Sequence, residues 1–405
     1  MIVRPLYLQK LISYKDKPSI KVITGVRRCG KSSVLDSYTD YLRDNGIASD
    51  HIIKMNFEDL IYDDMDYKKL NQYILDKLPD TKQKVYIILD EIQRVASWEK
   101  AVNSLHLNQR LDLYLTGSNA HLLSSELSTF LSGRYVEIKM LPLSFKEFLT
   151  FYDFPADMPV DKKFANYMKF GGMPALKDYN FDERQSRDTL DSIYNTVLVK
   201  DVLSRSEIKD VAVLEKLIRF MADNIANITS TNKITNFLVS EKSLSSANNK
   251  LIETYITSLE NAFIFYPVRR YDIKGKDYLK SLNKYYIVDC GLRTCLLGRV
   301  SDTGRVLENI VYFELLRHGY NVSIGKIGDM EIDFVAIRGE EKVYIQVSDE
   351  LTNAQTRERE LISLRCVKDN FPKIILTMDY LQTGTTEDGI KIIHIIDWLL
   401  GDQVL

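Results

Sequence analysis

The chain has 405 residues, of which 45% are hydrophobic and 27% charged, and its formal net charge is −2. This composition is typical of folded globular domains and argues against a disordered or fibrous chain, and the length predicts about two to four domains. Basic and acidic residues are interspersed, so the net charge argues neither for nor against binding to nucleic acid.

No segment has the composition of a membrane-spanning helix, because none approaches about 20 consecutive apolar residues, and the first residues lack the apolar core of a signal peptide. Four cysteines and five histidines are scattered along the chain. Their spacing is not that of a zinc site or a disulfide scaffold. We therefore expect a cytoplasmic protein with no membrane segment, reduced cysteines and no metal bound by histidine.

Residues 1–143 alternate short apolar segments with segments of helical periodicity. The predicted strands are Ile20–Thr24, His51–Asn56, Val85–Leu89, Leu111–Thr116 and Tyr135–Met140. Strands that alternate with helices are typical of a parallel sheet whose two faces are covered by the helices. The predicted fold class of this part is therefore α/β, with a parallel sheet.

A phosphate-binding loop is predicted from Gly25 to Ser32, where GVRRCGKS fits the pattern GxxxxGK[ST] between an apolar strand and a helical segment. Gly25 and Gly30 let backbone N–H groups point at phosphates, and the helix start adds the positive end of its dipole. Lys31 is predicted to reach the β and γ phosphates of ATP, and Ser32 to bind Mg²⁺. The alternative is a glycine turn that carries a lysine by chance. The predicted nucleotide-binding residues are Gly25, Val26, Arg27, Arg28, Cys29, Gly30, Lys31, Ser32 and Ser33.

Two carboxylates follow the apolar run of the third predicted strand, in the sequence VYIILDE that ends at Glu91. Ligands of open α/β sheets bind at the carboxyl ends of parallel strands. Asp90 is therefore predicted to complete the Mg²⁺ shell, and Glu91 to orient and polarise the attacking water. The alternative, a pair of ordinary surface acids, is disfavoured because the loop and the pair explain each other.

The fourth predicted strand ends in Gly117-Ser118-Asn119. If this strand lies beside the strand of Asp90, small polar side chains come next to the γ-phosphate, and Asn119 or Ser118 can position the water. The alternative is an ordinary polar loop.

Arginines are the remaining candidates for contact with phosphate. Arg134 precedes the fifth predicted strand, and its cation can neutralise charge on the γ-phosphoryl group in its own subunit or in a neighbouring one. A structural ion pair is the alternative. Arg27 and Arg28 of the loop can contact phosphate, solvent or another subunit.

The rest of the chain divides by pattern into three predicted parts. Residues 144–207 are helical, broken at Gly171, Gly172 and Pro174, and are predicted to form a small lid. Residues 208–297 contain helices and then strand-like segments, which suggests a winged-helix unit. Residues 298–405 return to mixed α/β. Their predicted elements are a helix at Val306–Arg317, strands at Glu331–Ile337 and Val343–Val347, a helix at Gln355–Lys368 and a strand at Lys373–Met378.

Within residues 208–297, Lys233–Leu238 and Ala247–Leu259 are predicted to be the helices of a helix-turn-helix. Strands at Phe263–Arg270 and Lys284–Val288 are predicted to form a hairpin, with a wing over Tyr266–Asp277. Such a unit can place its second helix in the major groove of DNA, or it can dock a protein. The polar residues predicted to face DNA phosphates are Asn248, Asn249, Lys250, Arg269, Arg270, Lys274 and Lys276.

The motifs GVRRCGKS, IILDEIQ, LTGSNAHLL, SGRYVEIKMLPLSFKEFL and FGGMP occur in this order. With them the chain resembles, over its whole length, a prokaryotic family of AAA-type ATPases joined to a DUF4143 region. The resemblance implies an ASCE-type P-loop core, a winged helix and a C-terminal module similar to PD-(D/E)xK nucleases. It also implies roles connected with DNA or defence.

In the C-terminal module, Glu308 of a helix, Asp333 of one strand and Gln346 of the next are predicted to converge. An active nuclease of this kind carries Glu where this chain has Gln346, and Lys where it has Ser348. Both changes weaken metal binding and stabilisation of the transition state. We therefore expect a nuclease-like fold with little or no nuclease activity, and ordinary strand and helix polar groups are the alternative.

Two functions follow from these predictions. The first is a Mg²⁺-dependent ATPase whose nucleotide state rearranges its C-terminal modules. The second is a nucleotide-gated module that binds DNA or a protein, with an ATP-regulated nuclease as a further alternative. The expected cofactors are ATP and Mg²⁺, and the expected partners are DNA, a protein or further copies of the chain. Glu91 favours the ATPase, because a nucleotide sensor does not require a water-activating carboxylate.

Overall fold

The computed structural model describes residues 4–118, 120, 133–203, 208, 210–244, 246–275, 277–278, 282–300 and 302–401. The chain forms two compact units, Met1–Leu141 with Asn261–Phe263, and Pro142–Glu260 with Ile264–Leu405. The predicted boundary after residue 143 lies close to this division. Apart from Asn261–Phe263, the predicted lid, winged-helix and C-terminal parts lie in the second unit, and their further division stays a prediction.

The first unit is built from strands and helices that alternate along the chain. Its strands are β1 (Ile20–Thr24), β2 (Ile52–Asn56), β3 (Val85–Asp90), β4 (Leu111–Gly117) and β5 (Tyr135–Lys139). Its helices include α1 (Pro5–Ser13), α2 (Lys31–Asp44), α3 (Tyr67–Asp76) and α4 (Trp98–His106). The five strands lie within one residue of the predicted bounds at each end.

These strands form a parallel sheet in the order β2-β3-β4-β1-β5. The register pairs Thr24 of β1 with Gly117 of β4, and Leu89 of β3 with Leu115 of β4. Strand β4 therefore lies between the strand that precedes the phosphate-binding loop and the strand that ends in Asp90. The predicted parallel sheet is confirmed, and β4 lies beside β3, which is the condition for small polar side chains at the end of β4 to reach the γ-phosphate.

Both faces of the sheet are covered, because successive side chains of a strand point to opposite faces. Ile20 and Val22 of β1 belong to an apolar cluster that also contains Leu70 of α3 and Val102 of α4. On the other face, the ring of Tyr114 packs against that of Tyr38 on α2, with 4.7 Å between ring centroids. Burial on both faces explains why β3 is apolar up to Asp90. The charged residues buried in β1 and β4, Lys21 and Asp112, pair with each other.

The second unit contains helices followed by mixed helices and strands. Its helices include α5 (Phe145–Phe151), α6 (Val160–Phe170), α7 (Glu183–Val197), α8 (Val211–Asp223), α9 (Thr231–Ser240), α10 (Asn249–Asn261), α11 (Cys290–Leu297), α12 (Thr303–Arg317), α13 (Ala354–Arg365) and α14 (Ile395–Leu400). Its strands include β6 (Phe265–Val268), β7 (Arg270–Asp272), β8 (Asp277–Tyr278), β9 (Lys284–Ile287), β10 (Asn321–Ile327), β11 (Met330–Arg338), β12 (Glu341–Ser348), β13 (Lys373–Thr377), β14 (Gly384–Thr385) and β15 (Lys391–His394). Within the described ranges, no helix is both long and apolar enough to span a bilayer.

A mixed sheet dominates the C-terminal part, with the strand order β14-β15-β13-β12-β11-β10-β7-β8. Strands β10, β11 and β12 run antiparallel in sequence, and β13 joins β12 in parallel. The ring of Tyr312 on α12 stacks on Phe334 of one face, while Val335 lies in the same apolar cluster as Leu361 and Leu364 of α13. Residues 298–405 thus contain both helices and strands, and their likeness to a nuclease fold stays a prediction.

The predicted wing is not a free hairpin. Strands β6 and β9 pair antiparallel, with Phe265 opposite Ile287, as the sequence predicts. However, the intervening segment forms β7, which pairs in parallel with β10 and extends the large sheet. Most of the predicted wing, Tyr266–Asp277, is thus held in strands. Periodicity could not reveal this, because the partner strand lies about 50 residues further along the chain.

The segment FGGMP, residues 170–174, packs tightly against residues 289–291, which form the start of α11. Asp289 begins α11 and accepts hydrogen bonds from the N–H groups of Gly172 (2.7 Å) and Leu292 (3.0 Å). Burial raises the pKa of the Asp289 carboxyl to about 6. Gly171 has a φ of +75°, and a Cβ atom there would lie 2.1 Å from Oδ1 of Asp289. Position 171 therefore requires glycine for space as well as for backbone conformation.

We expect Gly171→Ala to lower the free energy of unfolding of the second unit by about 3 kcal/mol, since it combines a left-handed φ with overpacking. Gly298 is the matched control, because its φ is +69° and an added Cβ atom meets nothing within 4 Å. Gly298→Ala should cost only about 1 kcal/mol. Urea unfolding of both variants measures the difference, and equal losses would contradict the tight packing around Asp289.

Candidate functional site

The loop between β1 and α2 has the backbone of a phosphate-binding loop. Gly25 follows β1 with a φ of +147°, and a Cβ atom there would lie 2.1 Å from the carbonyl oxygen of Met140. Gly30 has a φ of +101° and directly precedes the first residue of α2. The loop therefore turns at two glycines and leads into a helix N-terminus, whose free N–H groups and dipole favour an anion.

The side chain of Lys31 is folded back over this loop. Its ammonium donates hydrogen bonds to the carbonyl oxygens of Gly25 (2.9 Å) and Val26 (3.2 Å), and the residue is 5% exposed. Both acceptors are neutral and belong to the loop itself. The positive charge of Lys31 is thus held at the loop without a carboxylate partner among these contacts, where a phosphate group can meet it.

Arg4, in the segment before α1, supports the loop from behind. Its Nη1 donates to the carbonyl oxygens of Cys29 (3.1 Å) and Leu141 (2.7 Å), and the residue is buried. The sequence analysis missed this residue, because Arg4 lies well before the motif and carries no local signal.

The side chains of Val26 and Cys29 are fully buried. The Cys29 thiol lies 3.6 Å from the carbonyl oxygen of Met140, and burial raises its pKa. The backbone N–H of Cys29 donates to the carbonyl oxygen of Val26 at 3.3 Å, within the loop itself.

The other predicted loop residues are accessible to different degrees. Arg27 is directed along the sheet edge, where its guanidinium contacts Glu58 (3.2 Å) and the hydroxyl of Ser118 (3.3 Å). Arg28 is exposed with a φ of +69°, and the side chains of Ser32 and Ser33 on the first turn of α2 are also exposed.

The predicted acidic pair lies at the carboxyl end of β3, and both residues are buried. The hydroxyl of Thr116 on β4 donates to Oδ1 of Asp90 and accepts the N–H of Glu91 at 2.9 Å. Glu91 adopts a left-handed φ of +55°, and its Oε2 accepts a hydrogen bond from the side chain of Gln93. One hydroxyl therefore fixes both members of the pair.

Thr116 and Gln93 were not predicted as site residues. A signal for Thr116 was present, because it ends an otherwise apolar strand next to the one that carries Asp90. For Gln93 the only signal in the sequence was its position, two residues after Glu91.

Ser118 is buried at the end of β4, which lies between β1 and β3, so it is placed next to the loop and the acidic pair. Asn119 lies outside the described residues. Its predicted role in positioning water therefore stays a prediction, whereas Ser118 is at the sheet edge where the sequence places it.

Arg134 lies at the opposite edge of the sheet. Its carbonyl oxygen accepts the N–H of Ile20 at 2.8 Å, at the beginning of β1, while the loop begins after Thr24 at the other end. A strand of this length spans ~16 Å. The Arg134 guanidinium is exposed and donates to Asn103 at 3.1 Å. A contact with phosphate in its own subunit does not fit this placement, and contact with a neighbouring subunit stays a prediction.

The residues predicted for the C-terminal module do come together. Glu308 on α12, Asp333 on β11 and Gln346 on β12 line one cavity of about 820 Å³ in the second unit. Oε1 of Gln346 accepts the N–H of Asp333 at 2.6 Å, so the amide is part of the cluster. Ser348 is buried, and its hydroxyl donates to the carbonyl oxygen of Glu350 at 3.0 Å.

The helices predicted for a helix-turn-helix are also present, as α9 and α10. Asn248, Asn249 and Lys250 are exposed where α10 begins, and Arg269 and Lys274 are exposed near the β6–β9 pair. Arg270 is half-buried within β7. Lys276 lies outside the described residues.

Known families match two segments of the chain, and known proteins match nearly its whole length. Residues 17–149 match the model of an AAA domain, which confirms the predicted AAA-type domain. Residues 161–303 match a domain of unknown function, DUF8612. The expected DUF4143 region is not confirmed, and residues after 303 lie beyond both matched segments.

Two curated proteins are similar to the chain over nearly its whole length. An uncharacterized protein of Haemophilus influenzae is 45% identical over 99% of both chains. An uncharacterized protein of Methanocaldococcus jannaschii is 32% identical over 93% of this chain and 86% of its own. Among solved structures, the Walker-type ATPase of Pyrococcus abyssi aligns with 71% of this chain and 94% of its own, at 16% identity and a TM-score of 0.49.

Proposed function

Because the chain belongs to the family of these Haemophilus influenzae and Methanocaldococcus jannaschii proteins and carries an AAA domain, we propose that it binds Mg·ATP and hydrolyses it. The observation that carries the proposal is one sheet edge. The ends of β1, β4 and β3 bring together the loop lysine Lys31, the hydroxyl of Thr116 and the carboxylates of Asp90 and Glu91.

Binding is assigned to the loop and to α2. The N–H groups that follow Gly25 face the phosphates, and the ammonium of Lys31 exchanges its two loop carbonyls for phosphate oxygens. These carbonyls are neutral, so the exchange replaces weaker hydrogen bonds by charge-assisted ones. Arg27, which already lies beside Ser118, is near enough to the sheet edge to add a second cation.

The hydroxyl of Ser32 and the carboxylate of Asp90 fit a Mg²⁺ ion, because both offer the oxygen ligands that Mg²⁺ prefers, on the two sides of the loop. When bound, Mg²⁺ neutralises charge on the phosphates. Thr116 holds Asp90 in one orientation, while Glu91 is left to accept a proton from water. Gln93 donates to Oε2 of Glu91, and because a carboxylate has lone pairs on both oxygens, this bond does not prevent Glu91 from accepting a proton.

The second candidate function is a nucleotide-gated module that binds DNA or a protein. The exposed start of α10 and the adjacent basic residues favour this candidate, since phosphate contacts on DNA come from such side chains. The predicted coupling of nucleotide state to the C-terminal modules remains part of the proposal. Steady-state phosphate release, measured with and without duplex DNA, tests both candidates. Release that DNA accelerates supports an ATPase acting on DNA, whereas unaltered release together with no DNA binding favours a protein partner.

DNA binding through α10 should be strongly dependent on salt. We expect Lys250→Ala to weaken binding of duplex DNA roughly equally for all sequences and to lower the salt dependence by about one ion. Fluorescence anisotropy between low and high salt measures both quantities. Lys216 on α8, whose side chain bonds to Ser243, serves as the control. Binding that survives high salt unchanged, or no binding at low salt, would argue for protein docking instead.

A further inference from the structure

A buried lysine of the second unit contacts three of the carboxylates that line one cavity. The acidic pocket is the cavity lined by Glu308, Glu331, Asp333, Gln346 and Glu360, among others. Lys284, on β9, is 3% exposed. Its Nζ lies 2.8 Å from Oε1 of Glu308, 2.8 Å from Oε1 of Glu331 and 3.4 Å from Oδ1 of Asp333. An ammonium has three N–H donors and no acceptor, so three carboxylates match its bonding capacity.

The charge of Lys284 is maintained by these neighbours. Burial lowers the pKa of its ammonium, but the carboxylates of Glu308, Asp333 and Glu331 raise it by more, and the net pKa is above the ordinary value. Burial raises the pKa of Glu308 to about 7, although Lys284 opposes this rise. The hydroxyl of Tyr286, two residues along β9, also donates to Glu308 at 2.6 Å. Strand β9 therefore supplies both donors to Glu308.

Other donors of the chain bind further carboxylate oxygens of the pocket, on Asp333 and Glu360. Oδ2 of Asp333 accepts the N–H of Val347 at 2.9 Å. The side-chain N–H of Gln346 donates to Oε2 of Glu360 at 2.7 Å. Throughout the part of the chain that the structure describes, no group of three or more His, Cys, Asp or Glu side chains is arranged to hold a metal ion. The carboxylates are thus directed at protein donors.

We propose that Lys284 takes the place of a divalent cation in the acidic pocket, where its ammonium is the counter-ion of Glu308, Glu331 and Asp333. The pocket is then assembled without metal, and its carboxylates stabilise a charge that the chain itself provides. This differs from the prediction made from the sequence, in which Ser348 left the cluster without a lysine. The cation comes instead from a strand that precedes α12 in the chain.

The proposal predicts that removing Lys284 creates a metal site. Lys284→Ala leaves three carboxylates around the volume of the lost ammonium, and oxygen ligands of this kind suit Mn²⁺ and Ca²⁺. Mn²⁺ binding to nucleotide-free protein is measured by electron paramagnetic resonance of the free ion. We expect Lys284→Ala to gain one Mn²⁺ bound at least about tenfold more tightly than by the wild type. The double variant Lys284→Ala/Asp333→Asn should lose it. The phosphate-binding loop is the same in all variants, so any Mn²⁺ that binds there contributes equally to each titration and does not affect the comparison.

Two outcomes overturn the proposal. In the first, the wild-type protein binds Mn²⁺ in the pocket, and the single substitution Asp333→Asn abolishes that binding. This comparison does not require a substitution at Lys284. The other is a Lys284→Ala variant that gains no Mn²⁺ site. If Lys284→Ala is unstable in EDTA, thermal melting replaces the titration. Recovery of the melting temperature on addition of Mn²⁺ supports the proposal, and a melting temperature that does not respond to Mn²⁺ contradicts it.

Discussion

Lys31→Ala is expected to weaken ATP binding by about 100-fold. The substitution removes a buried ammonium whose present partners are two loop carbonyls, and a hydrogen bond to a charged group contributes up to about 3 kcal/mol. Equilibrium binding of a fluorescent ATP analogue in Mg²⁺ measures the loss. The variant should keep its fold, because α2 also packs through Val34, Leu35 and Tyr38, which are buried.

Lys68→Ala is the matched control, since Lys68 is an exposed lysine on α3 of the same unit. It should bind ATP as the wild type does. Equal affinity in Lys31→Ala and the wild type would show that the loop between β1 and α2 is not the nucleotide site.

Glu91→Gln is expected to retain ATP binding and to lose turnover by about 10²- to 10⁴-fold, the range typical of a general base. Glutamine preserves the size of the side chain and its position after β3, but it cannot accept a proton. The N–H of Glu91 and the hydroxyl of Thr116 remain bonded in the variant, so the position of Asp90 is retained. Phosphate release under saturating ATP measures turnover, and the analogue titration measures binding.

Asp40→Asn, which changes an exposed carboxylate of α2, is the control for the loss of one negative charge in the unit. It should turn over at the wild-type rate. A Glu91→Gln variant with wild-type turnover would place the water-activating group elsewhere. A variant that no longer binds ATP would instead indicate a role for Glu91 in forming the site.

Most of the first unit could be predicted from the sequence, because strands buried on both faces give continuous apolar runs and the loop motif fixes where the nucleotide site lies. The acidic pair lies at the carboxyl end of β3, as expected because ligands of open α/β sheets bind at the carboxyl ends of parallel strands. The sequence analysis left contact of Arg134 with phosphate in its own subunit open. Arg134 precedes β5, so it lies at the amino edge of the parallel sheet, away from the loop, and the same logic would have argued against that contact.

The contacts that the sequence could not reveal join residues far apart in the chain. Arg4 reaches a carbonyl beyond residue 140, and Lys284 reaches carboxylates 24 and 49 residues further on. The motif of the C-terminal module directs attention to Ser348 on β12, whereas the cation is supplied by β9. The pairing of β7 with β10 is hidden for a similar reason, since a three-residue strand has no recognisable periodicity.

The most direct test of the central claim is the Mg²⁺ dependence of steady-state phosphate release by the purified wild-type chain. With ATP and Mg²⁺ present, we predict release that continues over many turnovers and stops when EDTA is added in excess, because Ser32 and Asp90 then hold no ion beside the phosphates. Release that continues at the same rate in EDTA, or no release under any of these conditions, would contradict the assignment of a Mg·ATPase site to this sheet edge.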